Sequence, residues 1–325
     1  MNIIFAILVF CVVLFIYLHI FFQLKTSNDL EIFEIEQPSK ENLEEICDLR
    51  QPVTFEFNNE RLNDTCSLKS IHSNYGAFDI KVRNLKNVDD ESEMYIPLTL
   101  NAGIQLFHND TEKKYISEKN QDFLEETGLI KSFRYNDAFL RPYMVSKCEY
   151  DIMTASDKIR TPFKYDINYR NFYLVTQGTM KVIMAPPKSS KYLYPNSDYE
   201  NFEFSSPINP WDVQHQYKPD FDKIKCLELI LRPNTMLYIP SFWWYSFEFS
   251  DNTSLCSFKY RTYMNTFANF PKYFIRFLQT QNVKRNVVKK MEPINESFDN
   301  SNTTNINSIP TVNPLNNSHE IVVSS

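Results

Sequence analysis

The sequence predicts a mainly β (α+β) protein, an antiparallel sandwich or barrel with flanking helices, preceded by one transmembrane helix. Residues 3–22 are apolar and uncharged, and a helix of that length crosses a hydrocarbon core of about 30 Å. Between about 150 and 263, short β-rich runs alternate with turn residues, as in antiparallel sandwiches and barrels. Helical spacing of apolar residues recurs on both sides of this region, which predicts the flanking helices.

The apolar run near the N-terminus predicts a membrane anchor over residues 1–24. A cleavable signal peptide has a basic start, a shorter apolar stretch and a small-residue cleavage site, and this segment shows none of them. An uncleaved signal peptide is the alternative. Because Lys25 is the one basic residue close to the span, the positive-inside rule leaves the orientation open. We expect a single-pass membrane protein that contacts the bilayer through residues 3–22.

Charge and glycine content exclude several classes of function. The chain has 34 basic and 40 acidic residues and a formal net charge of -6, so no basic excess is available for a nucleic-acid backbone. Its four glycines form neither a G-x-G-x-x-G nor a Walker A motif, which excludes nucleotide-binding enzymes of those types. Glycosylation sequons occur about as often as chance predicts in so asparagine-rich a chain, and the six cysteines are scattered, so both leave the compartment open.

The chain divides into five segments by composition. After the anchor, residues 25–38 are polar and acidic and are predicted to form a stalk. A folded domain is predicted over 39–265, followed by a C-terminal helix over 266–291. Residues 292–325 are rich in Asn, Ser and Thr and poor in apolar residues, which predicts a disordered tail.

Local signals place the elements of the domain. Ser39 can cap a helix that starts at Lys40, and the spacing predicts a further helix near 120–127. Gly178 and Thr179 separate two β-rich runs, which predicts a tight hairpin with positive φ at the glycine. The remaining strands of the domain are predicted from alternation and bounding turn residues. They cover 52–57, 171–177, 180–185, 226–231, 236–239, 243–249 and 254–260.

A series of short motifs follows in order along the domain. It reads Thr161-Pro162-Phe163-Lys164-Tyr165-Asp166, then Asn171, Gly178-Thr179-Met180-Lys181, Pro186-Pro187 and, from Pro233, P-N-T-M-L-Y-I-P-S-F-W-W-Y. This order resembles the JmjC and cupin-like hydroxylases, which include the asparaginyl hydroxylase acting on hypoxia-inducible factor. In that group the motifs read T-P-x-H-x-D, Asn, a G-x-K hairpin ending in Pro-Pro, and P-G-D-x-x-x-I-P-x-x-W-W-H. The resemblance covers about 39–263 and implies a double-stranded β-helix, the cupin or jelly-roll fold.

The resemblance also locates a degenerate metal site. Such oxygenases hold Fe(II) with two histidines and one carboxylate, and here Lys164, Asp166 and Tyr245 occupy these positions. An ammonium has no lone pair for a metal and a neutral phenol is a poor ligand, so we expect no metal and no catalytic residue. Fe(II) and 2-oxoglutarate are expected as cofactors only if the site is remodelled and active. The lysine that binds 2-oxoglutarate in relatives aligns with Met180, one residue before Lys181.

A ligand pocket can persist without the metal. The residues predicted to form this candidate pocket are Thr161, Lys164, Asp166, Asn171, Lys181, Trp244 and Tyr245. Lys164 and Asp166 lie two apart on one strand and so face the same side. We expect the Lys164 ammonium to occupy the metal position and pair with Asp166, with Tyr245 completing the hydrogen bonding. The alternative is that Lys164 reaches solvent and Asp166 caps a turn.

The sequence therefore predicts a membrane-anchored cupin-like protein that is catalytically inactive and acts as a binding or scaffold module. Its partner, a protein or a small molecule, is not specified by the residues, and nucleic acid is not expected. Two alternatives stay open: an active 2-oxoglutarate-type hydroxylase with a remodelled site, and a structural membrane protein, for example of a virion. The aromatic helix over 271–290 resembles the dimerisation helices of some relatives, which implies a homodimer, and packing on its own domain is the alternative.

Overall fold

A computed structural model describes residues 2–86 and 95–285 of the chain. The predicted tail over 292–325 and the end of the C-terminal helix, 286–291, lie outside the described residues. The helices are α1 (Asn2–Leu24), α2 (Lys40–Asp48), α3 (Glu60–Cys66), α4 (Leu68–Tyr75), α5 (Leu100–Asn109), α6 (Gln121–Glu126), α7 (Ile130–Asn136), α8 (Lys218–Phe221), α9 (Tyr263–Ala268) and α10 (Phe270–Arg285).

Two β-sheets form the body of the domain. The larger sheet contains, in spatial order, β1 (Phe33–Ile35), β2 (Val53–Glu56), β13 (Thr235–Pro240), β8 (Arg170–Gln177), β15 (Ser254–Thr262), β6 (Val145–Ala155), β5 (Tyr115–Ser117), β3 (Asp79–Asn84) and β4 (Ile96–Thr99). The smaller sheet contains β10 (Asn196–Asp198), β11 (Glu203–Ser205), β7 (Lys164–Tyr165), β14 (Trp244–Phe249), β9 (Met180–Ala185) and β12 (Leu227–Leu231).

Successive strands alternate between the two sheets from β6 to β9 and again from β12 to β15. β12 and β14 belong to the smaller sheet, whereas β13 and β15 belong to the larger one. As a result β8 lies between β13 and β15, and β14 lies between β7 and β9, with every one of these pairs antiparallel. This topology is that of a jelly roll, and the predicted double-stranded β-helix with flanking helices is confirmed.

The same alternation corrects the predicted hairpin at Gly178. The glycine has the expected positive φ of 76°, but β8 and β9, which it joins, pair with strands of different sheets. The turn is therefore a corner between the two layers. A positive φ at glycine meets the steric need of either kind of turn, so the local sequence could not distinguish them.

Two apolar cores result from the alternation of side chains along each strand. On β8, Tyr173 and Val175 point between the two sheets. Phe172 and Leu174 point to the opposite face, where they pack with residues from helices α2 to α7. Much of the larger sheet is thus covered on both faces, and the site described below lies beside the apolar core between the sheets.

The N-terminal elements also follow from local chemistry. Ser39 caps α2 as predicted, because its Oγ accepts the Asn42 N–H at 3.2 Å. The prediction that residues 25–38 form a stalk is wrong for Phe33–Ile35, because these residues form β1 and pair in parallel with β2. Helix α1 contains a span over Ile3–Leu24 that is long and apolar enough to cross a membrane, and its most apolar 18-residue stretch, with mean hydropathy 3.0, is not buried in the protein.

We predict that the corner at Gly178 is sensitive to substitution. A Cβ there would lie 2.8 Å from the Cα of Thr253, so Gly178→Ala adds a steric clash to the strain of a positive φ and should lower stability by about 3 kcal/mol. Gly128 is the matched control, because it has φ 75° and a Cβ added there would meet no atom within 4 Å. Gly128→Ala should lose only about 1 kcal/mol. Equal losses in urea unfolding would contradict the corner geometry.

Candidate functional site

Two of the three residues that the sequence aligns with the metal position, Lys164 and Asp166, line a polar pocket of about 470 Å³. Strands β6, β7 and β15 contribute to its walls, with Lys164 on β7, Lys259 on β15 and Asp166 directly after β7. Most of the remaining lining residues are charged or polar. The pocket therefore suits a polar ligand better than an apolar one.

Asp166 lies at the centre of this pocket. Its Oδ2 is 2.9 Å from the Nζ of Lys259 and accepts a hydrogen bond from the Tyr245 hydroxyl at 2.7 Å. The Tyr173 hydroxyl lies 3.0 Å from the same oxygen and 2.9 Å from the Tyr245 hydroxyl. One carboxylate oxygen is therefore surrounded by an ammonium and two phenols.

The charges of this cluster stabilise one another. Burial alone would raise the pKa of Asp166, but the ammonium groups of Lys259 and Lys164 lower it to about 2. Burial would likewise lower the pKa of Lys259, but the Asp166 carboxylate raises it well above its usual range. Burial and Asp166 together raise the pKa of Tyr245 far above that of a free phenol. At neutral pH the cluster is an ion pair bridged by neutral phenols.

Lys164 belongs to a second ion-pair cluster next to the first. Its Nζ lies 3.3 Å from the Oε2 of Glu118, whose side chain is 5% exposed. Arg83 and Tyr95 both approach the other Glu118 oxygen at 3.1 Å. Arg83 and Lys119 also pair with Glu203, at 3.1 and 2.7 Å.

The expected pairing of Lys164 with Asp166 is therefore wrong, because each of these side chains pairs with a different residue. The ammonium bonded to Asp166 comes from Lys259 on β15, and Lys164 turns instead to Glu118. Lys164 keeps only the longer-range influence on the Asp166 pKa noted above. The expectation that Tyr245 completes the hydrogen bonding of Asp166 agrees with the structure.

The other predicted pocket residues are distributed around the pocket rather than in it. Asn171 is buried beside Lys259 in the strand register and donates to the Ile239 carbonyl at 3.1 Å. Thr161 is buried too, and its Oγ1 accepts the Phe247 N–H at 2.9 Å. The remaining two, Lys181 and Trp244, point away from the space between the sheets.

Strand alternation explains why these two lie outside. Lys181 follows the buried Met180, so it faces out, is 56% exposed and lies 3.6 Å from Glu248. Trp244 precedes the inward Tyr245, so it packs on the outer face of the smaller sheet and donates to Ser190 at 2.8 Å. Neither residue contributes to the pocket.

Sequence reasoning missed Lys259, Glu118 and Tyr173. Lys259 is the one charged residue within the predicted strand 254–260, which was a usable signal, because a lysine that is largely removed from water needs an acidic partner. Tyr173 stands two residues after Asn171 and so shares its face. Glu118 follows a three-residue strand that the sequence does not reveal, and we find no local signal for it.

Helix α10 covers one side of the pocket mouth. The Lys272 ammonium lies 5.4, 4.9 and 4.8 Å from the ring centres of Tyr165, Phe204 and Phe242, which we call the aromatic cage. Burial lowers the pKa of Lys272 to about 8. Tyr273 stacks on Phe202 at 5.1 Å one residue further on. The start of α10 thus packs on its own domain, and the homodimer through 271–290 stays a prediction.

The residues present do not fit an Fe(II) centre. Of the three aligned positions, Lys164 is an ammonium and Tyr245 a phenol whose raised pKa keeps it protonated, and neither donates a lone pair well to Fe(II). The third, Asp166, already accepts from Lys259 and Tyr245. Within residues 2–86 and 95–285, no group of three His, Cys, Asp or Glu side chains is placed to hold a metal ion.

The fold and the motifs define a class of β-sandwich proteins built as a double-stranded β-helix. The profile of the Cupin-like domain family matches residues 36–270, and the chain belongs to that family. It is also similar to a JmjC domain-containing protein, protein D of Dictyostelium discoideum, with 24% identity over 236 residues. That alignment covers 60% of this chain and 52% of the relative, so the chain spans about half the length of that protein.

We predict that Asp166 depends on Lys259 for its stability. Lys259→Met should lower the free energy of unfolding by about 2 kcal/mol, because it leaves a partly buried carboxylate, 22% exposed, without its cation. Adding Asp166→Asn should restore much of that loss, since a neutral amide needs no counter-charge. Urea unfolding in detergent micelles measures both variants.

A surface lysine provides the control for this cycle. Lys181 is 56% exposed beside Glu248, so Lys181→Met should change stability by less than about 0.5 kcal/mol. If the double variant at 259 and 166 is no more stable than Lys259→Met alone, the two side chains are not coupled and the assigned pair is wrong.

The lowered pKa of Asp166 predicts a defined pH dependence. The carboxyl has a pKa of about 2 in the folded protein against 3.8 as its ordinary value, so the unfolded chain binds its proton first as the pH falls. The stability contributed by this group is fully present above about pH 4 and is lost towards pH 2, by about 2 kcal/mol. Asp166→Asn should lack this component, and a parent and variant with parallel stability curves would contradict it.

Proposed function

We propose that this protein is a membrane-anchored, catalytically inactive cupin-like module that binds a polar partner in the pocket between its sheets. The observation that carries the proposal is the ion pair between Asp166 and Lys259. At the place where members of the JmjC and cupin-like hydroxylases hold Fe(II), Lys259 supplies a positive charge. Lys259 also pairs with Asp166, which is the one carboxylate at the aligned ligand positions. A site neutralised in this way needs no metal to keep the carboxylate stable.

The pocket beside that pair is suited to binding. Its volume of about 470 Å³ falls in the range of ligand pockets, and its walls carry both basic and acidic side chains. Lys147 and Arg261 lie on one side close to Glu149, at 2.7 and 3.6 Å. The same face includes Asp151, whose pKa is raised to about 6 by burial. Groups of both signs favour a polar small molecule or a polar segment of a partner protein over an apolar ligand.

Membrane attachment is the second part of the proposal, and it is supported by helix α1. Its span of 22 residues over Ile3–Leu24 carries no Asp, Glu, Lys or Arg, and its most apolar 18-residue stretch is not buried in the protein. An apolar helix of this length has few stable places in water, whereas it matches the thickness of a bilayer core. We propose that the cupin-like domain works at a membrane surface.

We predict that the parent chain does not hold iron and that a designed reversion does. The full chain, purified in detergent and incubated with Fe(II) and 2-oxoglutarate, should retain far less than stoichiometric iron and release no succinate. The variant Lys164→His/Tyr245→His/Lys259→Met restores two imidazoles beside Asp166 and removes the competing ammonium. It should bind Fe(II) or Co(II), which the visible spectrum of Co(II) reports.

The control adds Asp166→Asn to the same triple variant and should abolish the restored binding, because the carboxylate ligand is then gone. Stoichiometric iron with succinate release in the parent chain would overturn the proposed inactivity. That result would favour the alternative of an active hydroxylase with a remodelled site.

A further inference from the structure

The end of helix α1 does not stand apart from the domain. Its C-terminal part packs against α9, and the Phe22 ring lies 5.5 Å from the guanidinium of the buried Arg50. Gln23 is buried as well, at 6% exposure. The domain therefore lies alongside the last turns of α1 and not only beyond its end.

This side-by-side packing fixes the height of the domain relative to a bilayer. From Leu18 to Leu24 the helix rises about 10 Å, and over this stretch it faces the domain across a cleft of about 520 Å³. His19 and Gln23 are the polar residues of this stretch, so here the apolar run gives way to the level of the headgroups. The domain surface that borders the cleft must lie at the same level.

The inner lining of that cleft includes Glu44, Asp48 and Arg170, whereas several side chains towards its outside are large and exposed. Tyr143 and Met144 line the cleft and are 71% and 67% exposed. On α9, Met264 lines the cleft, and Tyr263 and Phe267, one helical turn apart, flank it at 61% and 55% exposure. We call these five residues the collar. In water such a group of exposed aromatic and apolar side chains is unfavourable, but tyrosine and phenylalanine are well placed at a membrane interface.

We propose that the collar is a lipid-binding surface through which the domain is seated on the bilayer, with lipid chains filling the cleft between α1 and α9. The inference rests on the proposed membrane anchor and goes beyond it, because an anchor alone allows the domain to stand clear of the lipid. The partner is the lipid of the membrane that α1 crosses. Contact through the collar adds apolar burial at the interface and restricts the rotation of the domain about its anchor.

Tryptophan fluorescence in vesicles tests this surface. The full chain is reconstituted in phosphatidylcholine vesicles whose lipids are brominated close to the headgroup, and quenching is measured relative to the parent chain. Tyr143→Trp and Phe267→Trp report the collar, and Phe15→Trp reports the span itself. These three positions are exposed on the protein, so the substitutions leave its core unchanged.

Ile230→Trp is the control. Ile230 is 60% exposed and pairs with Lys181 close to the Gly178 corner. That corner is one full length of β8, roughly 23 Å, from Arg170 at the cleft. A tryptophan at this position should keep its emission in the brominated vesicles.

The expected result is loss of most of the added emission for Phe15→Trp, Tyr143→Trp and Phe267→Trp. If Phe15→Trp is quenched but the two collar variants are quenched no more than Ile230→Trp, α1 is a membrane anchor but the collar does not contact lipid, and the proposal is wrong. If Phe15→Trp is not quenched either, the proposed membrane anchor is wrong, and the proposed lipid-binding surface is then wrong as well.

Discussion

A partly buried carboxylate surrounded by protein needs a counter-charge, and the centre of this protein is organised by that requirement. In relatives of the family that the sequence resembles, a metal ion supplies the positive charge between the sheets. In this chain Lys259 supplies it from β15 in the opposite sheet, 2.9 Å from Asp166. An isolated charge in that position would be unfavourable by several kcal/mol, so the replacement of the histidines is consistent with a lysine opposite the remaining acid. The two tyrosines then satisfy the oxygen that faces the interior.

The jelly-roll topology is what brings these residues together. Asp166 directly follows β7 of the smaller sheet, and Tyr245 lies on β14 next to it. Tyr173 and Lys259 come from β8 and β15 of the larger sheet. Because successive strands alternate between layers, residues nearly a hundred positions apart in the chain meet across the sandwich. The site therefore depends on the packing of both sheets and not on any one local motif.

Much of the fold was accessible from the sequence because its signals are local. The cap at Ser39, the strands of the C-terminal half and the positive φ of Gly178 each follow from a few neighbouring residues. The assignment of Gly178 to a hairpin failed because the choice of partner strand is made by distant residues. Short strands such as β5 and β7, with three and two residues, leave almost no periodic pattern to detect.

The candidate site was accessible only in part for the same reason. Position along a motif correctly brought Asp166 and Tyr245 together, but it placed Lys181 and Trp244 in the pocket although strand parity turns both outward. Lys164 and Lys259 lie on the same pocket, and sequence spacing cannot decide which of two nearby ammonium groups bonds to a given acid. In the structure Glu118, which lies outside the motif, pairs with Lys164, and Lys259 pairs with Asp166.

The aromatic cage at the pocket mouth gives the C-terminal helix a part in the use of the pocket. Tyr165 and Phe204 line the pocket and at the same time hold the ammonium of Lys272. A cationic ligand that bound to these rings would have to displace Lys272, so its binding would exchange one cation for another. Its apparent affinity would be lowered by the free energy of detaching α10, and the position of α10 on the domain would change with occupancy.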